Sequence, residues 1–273
     1  MGFSPRGREE ELHRQPAAPA AKDISQLILA YHAVSSGWPS GLAIPERTLR
    51  AQLSLLKGRG YASMTFRELE RRRELGSLPH RSVVITFDDG YASTMRAKPI
   101  LDELGYTATV FPVLRFVESG EPLCWPGIEN WRHSAHRAEL EPLSWEQLEQ
   151  LVEGGWEVGS HTVGHRRLPE LSDQELAAQL RDSRGPIAER LGDCDTVAYP
   201  YGDGDERVAS VAAPMGYLAG CTLTRFHLVD APHLRPRIGL YDGDEGRRLR
   251  LKLSPLAQLV RRSSVAATLL GGD

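Results

Sequence analysis

Residues 82–91 read Ser-Val-Val-Ile-Thr-Phe-Asp-Asp-Gly-Tyr, SVVITFDDGY. A run of apolar and β-branched residues, the pattern of a strand buried on both faces, ends in two adjacent carboxylates and a glycine. Successive strand residues face opposite sides, so Asp88 and Asp89 share one cleft only if the strand ends there. Gly90 permits the sharp exit this requires. Two anions so close raise one another's pKa unless a cation or hydrogen bonds relieve them. A divalent metal is the most economical relief, with one Asp ligating it and the other free to take a proton. Asp-Asp-Gly is also ordinary turn composition, and an acidic strand end can hold a phosphate–metal group. The pair by itself leaves all three readings open.

Outward from this stretch, short β-like runs alternate with amphipathic helical segments. The strand candidates are 27–32 (LILAYH), 83–87 (VVITF), 107–113 (TATVFPV), 156–160 (WEVGS), 196–200 (TVAYP) and 217–222 (YLAGCT). Thr65, Ser144 and Ser172 each stand three residues before Glu68, Gln147 and Glu175, the spacing of a capping box that starts a helix. The Gly185-Pro186 pair predicts a kink or split in the helix after Ser172. Repeated β–α units predict a barrel or a doubly wound sheet, and in both the ligand site lies at the carboxyl ends of the strands.

Two more motifs sit where that rule puts them. In GGWEVGSHTVGHRRL, His161 and His165 follow a strand candidate and are four residues apart. A helical turn or a tight loop brings such a pair together. Neutral imidazole is the commonest metal ligand, and three protein ligands with open positions mark a catalytic site. Two histidines and Asp89 would supply that set. An isolated HxxxH pair is common on surface loops, so the argument rests on the coincidence of both motifs at strand ends. The third segment, TVAYPYGDGD (196–205), fixes an irregular backbone with Pro200 and Gly202, and Tyr199 and Tyr201 are candidate aromatic walls.

TFDDGY, SHTVGH and YPYG, in this order, resemble the polysaccharide deacetylase family, the NodB-homology carbohydrate esterases. The resemblance extends from about Leu27 to about Gly239. It implies an α/β fold, a distorted (β/α)7-type barrel in a single domain. It also implies hydrolysis of an N-acetyl, less often O-acetyl, group on a sugar. On it, Asp88 matches the general base, and Asp89, His161 and His165 match the metal ligands. The metal is zinc, with cobalt, nickel or manganese as alternatives. Pro200 and Tyr201 match the motif that lines the groove and gives a backbone N–H to the oxyanion.

The chain departs from the family pattern in two places. Ala198 stands where an Arg usually orients the base, and the late LxH motif that supplies the general acid has no clear match. Arg235 and Arg237, in HLRPRIGLYDGD, are candidates for the missing cation; Arg237 is favoured because it precedes an apolar pair that reads as a last strand. His233 and His227 are candidates for the acid. The long segment 115–143 reads as a lid-like insertion. There Trp125, Trp131, His133 and His136 are candidates to shape a substrate pocket, or aromatics that anchor the loop to the barrel.

Composition bounds the rest. The chain has 273 residues, 41% hydrophobic and 25% charged, with a net charge of -3, so there is no electrostatic case for nucleic acid. Cys124, Cys194 and Cys221 are too scattered for a disulfide framework or a CxxC zinc site, which points to a reducing cytoplasm. Residues 1–23 read as a disordered tail without the apolar core of a secretory signal, 24–243 as the catalytic domain and 244–273 as a basic helical tail. No apolar run approaches the roughly 18–20 residues of a membrane span. The basic tail is a candidate for weak membrane-surface contact or a final packed helix. The function expected is a metal-dependent N-deacetylase acting on a sugar nucleotide, a lipid-linked sugar or a glycoside. The alternatives are hydrolysis of a non-peptide C–N bond in a non-sugar amide, and a carbohydrate- or metal-binding pseudoenzyme.

Overall fold

The computed structural model describes residues 26–223, 229–261 and 263. The predicted tail 1–23, the candidate His227 and the end of the basic tail lie outside the described residues.

Among these residues the strands are β1 (Gln26–Tyr31), β2 (Ala33–Val34), β3 (Ala43–Ile44), β4 (Ala62–Ser63), β5 (Ser82–Asp89), β6 (Thr109–Pro112), β7 (Glu157–Val158), β8 (Thr196–Ala198), β9 (Ala219–Thr222), β10 (Arg235–Pro236) and β11 (Ile238–Gly239). β2 pairs with β3 in a small sheet of its own, and the two larger parallel sheets are β11-β1-β5-β6-β7, with β4 also on β5, and β10-β9-β8. They adjoin at two seams. Ser160 bridges to Val197 beside β8, and the Arg237 N–H donates to the Thr222 carbonyl at 3.1 Å. Only Arg237 separates β10 from β11, so the chain traces a distorted barrel of seven positions: β1, β5, β6, β7, β8, β9 and the broken β10–β11 strand.

The helices that cover it are α1 (Glu46–Gly58), α2 (Phe66–Glu74), α3 (Ala97–Leu104), α4 (Leu114–Ser119), α5 (Trp145–Glu153), α6 (Asp173–Leu191), α7 (Glu206–Ala212), α8 (Gly246–Lys252) and α9 (Pro255–Arg261). Ser144 and Ser172 complete capping boxes at α5 and α6, while Thr65 caps α2 from its side chain alone. The expected split at Gly185-Pro186 does not occur, and α6 runs across both residues. Leu176, Leu180, Ser183 and Ile187 are buried on either side of the proline, so packing holds both halves in line despite the missing N–H.

β5 explains the architecture. All eight of its residues are buried. Val83, Ile85 and Phe87 join the large core beneath the helices, whereas Val84 joins the smaller cluster of Ile28, Phe66 and Phe111 inside the barrel. Each such large apolar side chain contributes about 1.5–3 kcal/mol on burial. The alternation carries on to the strand end, where Thr86 and Asp88 take the inward positions and Asp89 the outward one.

At the amino ends of the strands a buried carboxylate ties the sheets together. Glu157 accepts from the Arg67 N–H at 2.8 Å and from the Thr109 and Thr196 hydroxyls at 3.0 and 2.5 Å. Burial pushes its pKa above the ordinary value, against the pull of those hydrogen bonds.

Candidate metal centre and active site

Asp89 escapes its outward position by a backbone turn. Its φ is 69°, and Gly90 follows at 77°. A Cβ on Gly90 would lie 2.7 Å from the Pro112 side chain, so only glycine fits there. The other described non-glycine residues with positive φ are Thr162 (68°), His165 (55°) and Tyr201 (60°), all in the same three motifs. Left-handed backbone costs such residues about 1–3 kcal/mol each, and here it is spent on aiming side chains. The loop from 160 to 165 is tight rather than helical. It is stitched to the exit of β6 by the Leu114 and Arg115 N–H groups, which donate to the Thr162 and Val163 carbonyls at 3.1 Å each.

The result is convergence. His161 Nε2 and His165 Nε2 lie 3.2 and 3.3 Å from one oxygen, Asp89 Oδ1. All three residues are buried, and their donor atoms lie within 4.8 Å of one another. His161 Nδ1 is 2.8 Å from the Ala198 carbonyl, which can only accept, so the proton sits on Nδ1 and Nε2 keeps its lone pair for a ligand. Burial holds the His165 pKa below the usual histidine value and keeps it neutral. One carboxylate oxygen and two imidazole nitrogens brought this close are a donor set that fits a divalent ion of the zinc type.

Beside this triad Asp88 faces a cation. Arg237, 1% exposed, gives Nη1 to Oδ1 at 2.6 Å and Nη2 to Oδ2 at 2.7 Å. Nη1 also donates to the Thr86 hydroxyl at 2.9 Å. Burial alone would raise the Asp88 pKa, but the Arg237 charge and its hydrogen bonds more than offset this and hold it below the usual value. Arg237 thus reaches Asp88 from the break between β10 and β11, while Ala198, at the place of the family's usual arginine, instead gives its carbonyl to His161. The other candidate, Arg235, is committed at the opposite end of the barrel to Glu70 and Asp230.

The remaining candidates divide. Trp125 stacks on His165 with ring centres 4.0 Å apart and is only 7% exposed, so it covers His165 more than it meets solvent. Tyr201 abuts His165 at 4.6 Å, carries the Arg167 guanidinium on its ring at 4.1 Å, and Pro200 beside it is buried. Tyr199 is not a groove wall: it is fully buried, with its hydroxyl on the His233 carbonyl at 2.8 Å. His233 precedes β10, at the end of the barrel away from the carboxylates, and its Nε2 is 2.9 Å from the Tyr217 carbonyl. Segment 115–143 is anchored by buried Leu123, Trp125, Ile128 and Leu140, which pack with Trp38 and Tyr91. Trp131 and His136 meet edge-on at its surface, and His133 is exposed.

One residue was missed. His32 follows β1 directly, and Tyr31 is in register with Phe87, which sets His32 level with Asp88. It is close enough to bear on the electrostatics of both Asp88 and Asp89. The sequence carries a signal, since LILAYH places a titratable residue at the end of a strand candidate, but the stretch reads only as a strand.

The sequence profile of the polysaccharide deacetylase family matches residues 76–220, more than half of the chain and all of the first two motifs. The chain belongs to the polysaccharide deacetylase family. This deacetylase-family chain is 28% identical over 198 residues to YxkH of Bacillus subtilis, a protein named for the same family. It is 26% identical over 209 residues to the poly-beta-1,6-N-acetyl-D-glucosamine N-deacetylase of Staphylococcus aureus strain N315. The aligned parts cover 71% and 66% of this chain, but 63% and 66% of those two relatives. Among solved structures, the Streptococcus pyogenes deacetylase PplD in complex with acetate matches 84% of this chain and 98% of its own, at a TM-score of 0.71 and 23% identity. IcaB from Ammonifex degensii matches 88% and 97%, at 0.65 and 24%. These likenesses place the fold among the distorted barrels of this deacetylase family.

Proposed function

We propose that the protein is a metal-dependent hydrolase that removes the acetyl group from an N-acetylated amino sugar. The observation that carries the reading is the convergence of Asp89, His161 and His165 on one point, next to a carboxylate clamped by Arg237. When bound there, a divalent ion would supply Lewis acidity toward the acyl oxygen and a water of lowered pKa. Asp88 takes the proton of the attacking water, and Arg237 fixes its orientation. The Tyr201 backbone N–H, held by the left-handed turn of YPYG, is the donor to the developing oxyanion, a contribution of roughly 3–4 kcal/mol for one well-placed group. His32 gives a proton to the departing amine. Trp125 and the neighbouring aromatic cluster keep bulk water away from His165.

Arg237 and His32 fill the two gaps that left a binding-only pseudoenzyme open as an alternative. The name of the Staphylococcus aureus relative supports β-1,6-linked N-acetylglucosamine as the first substrate class to try. The test is acetate release from such oligomers, from N-acetylated sugar nucleotides and from glycosides, by protein stripped with a chelator and resupplied with zinc or cobalt. Release that depends on the added metal and disappears in His161→Ala supports the reading. Metal-independent release, or none from any N-acetylated sugar, overturns it.

A further inference from the structure

The two carboxyl-terminal helices carry charge and apolar surface that catalysis does not use. From Gly246 to Arg262 the sequence holds Arg247, Arg248, Arg250, Lys252, Arg261 and Arg262 and no Asp or Glu, in a chain whose net charge is -3. Leu249 and Leu253 pin this segment to the body. Buried Asp244 neutralises part of its charge, with Lys252 Nζ at 2.5 Å and Arg248 Nε at 3.0 Å. Arg247 and Arg250 are exposed and form no ion pair among the described residues.

α9 is turned inside out. Leu256, Leu259 and Val260, spaced to share one helix face, are 66%, 60% and 42% exposed, whereas Gln258 is 5% exposed. Leu251, at the end of α8, is 65% exposed. A surface helix ordinarily does the reverse, and adjacent leucines left in water mark an interaction surface.

The chemistry of the patch selects its occupant. Exposed leucines on α9 and unpaired guanidinium groups on α8, in a stretch from 246 to 262 that holds no carboxylate, match the boundary between lipid headgroups and acyl chains. Phosphate oxygens there accept from guanidinium in paired hydrogen bonds. A second copy of the same surface would set Arg247 and Arg250 against their like, which disfavours self-association through this face. We propose that α8 and α9 dock the protein on an anionic lipid surface. No described helix is long and apolar enough to cross a membrane, so the contact is peripheral. This inference does not depend on the active-site reading.

The test is co-sedimentation of the full chain with sucrose-loaded vesicles of phosphatidylcholine alone, or of phosphatidylcholine mixed with phosphatidylglycerol. The protein sediments with the mixed vesicles, not with the neutral ones, and raised salt weakens the binding. Arg247→Glu/Arg250→Glu and Leu256→Ser/Leu259→Ser each reduce binding by about tenfold or more. Both double variants keep the melting temperature of the parent chain. No sedimentation with mixed vesicles, or sedimentation that neither double variant reduces, overturns the proposal. So does a vesicle-free dimer that the leucine variant splits, since the patch would then be covered by a second copy. If the leucine variant fails to fold, the arginine variant decides, because its two side chains have no partner to lose.

Discussion

Arg237 and Asp88, 149 positions apart in sequence, meet in a buried two-pronged ion pair with both N–O distances below 2.8 Å. Removing one partner of such a pair strands the other charge in the interior, whereas removing both does not. Arg237→Met therefore lowers stability by about 3–5 kcal/mol in a denaturant titration. It also slows acetate release by about 100-fold, because the base loses its fixed orientation. Combining it with Asp88→Asn restores part of the lost stability but none of the activity. A double variant less stable than Arg237→Met contradicts the pairing.

His32 is tested by leaving group. An amine departs poorly without a proton, whereas a nitrophenolate departs readily. His32→Gln slows acetate release from an N-acetylated sugar by about 10²–10⁴-fold. Hydrolysis of 4-nitrophenyl acetate by the same variant changes little, and its metal content is unaltered. Equal losses on both substrates would remove His32 from the role of acid.

Gly90 tests the turn that aims Asp89. Gly90→Ala meets both a left-handed φ of 77° and a Cβ contact of 2.7 Å with Pro112. A loss of about 2–4 kcal/mol follows, with reduced metal retention. An alanine variant as stable as the parent chain contradicts the turn geometry.

Glu157 gives a pH signature. Its folded-state pKa is raised above the ordinary 4.5, chiefly by burial, so its contribution to stability is whole below the unfolded value and is lost as pH rises through the folded one. The parent chain therefore loses stability relative to Glu157→Gln as pH rises from about 4.5 toward neutrality. A difference between the two that is flat across this range contradicts the assignment.

Much of the site was legible because its signals are local. A strand that ends in Asp-Asp-Gly, and two histidines after another strand, sit within ten residues of the elements that place them. Arg237 was readable only as a candidate, since β10 and β11 are two residues each and carry no periodicity of their own. What commits Arg237 rather than Arg235 is position along that broken strand: residues two apart share a side, and Arg237, two residues further along, meets Asp88 while Arg235 meets Glu70 and Asp230. Tyr199 misled for a related reason: an aromatic at a strand end looks like a groove wall until the fold buries it in the large core. Local propensity also erred at Gly185-Pro186, where tertiary packing along α6 outweighs the helix-breaking pair. At the carboxyl-terminal end, composition could not show that α9 presents its leucines outward.

The account's central claim is a division of labour between neighbours, with Asp89 holding the metal and Asp88 acting as base. The most direct measurement is metal content and acetate release on the same preparation of Asp88→Asn. The account predicts a full equivalent of divalent ion, as in the parent chain, with acetate release reduced to background. A variant that retains turnover, or that loses its metal together with its activity, would contradict it.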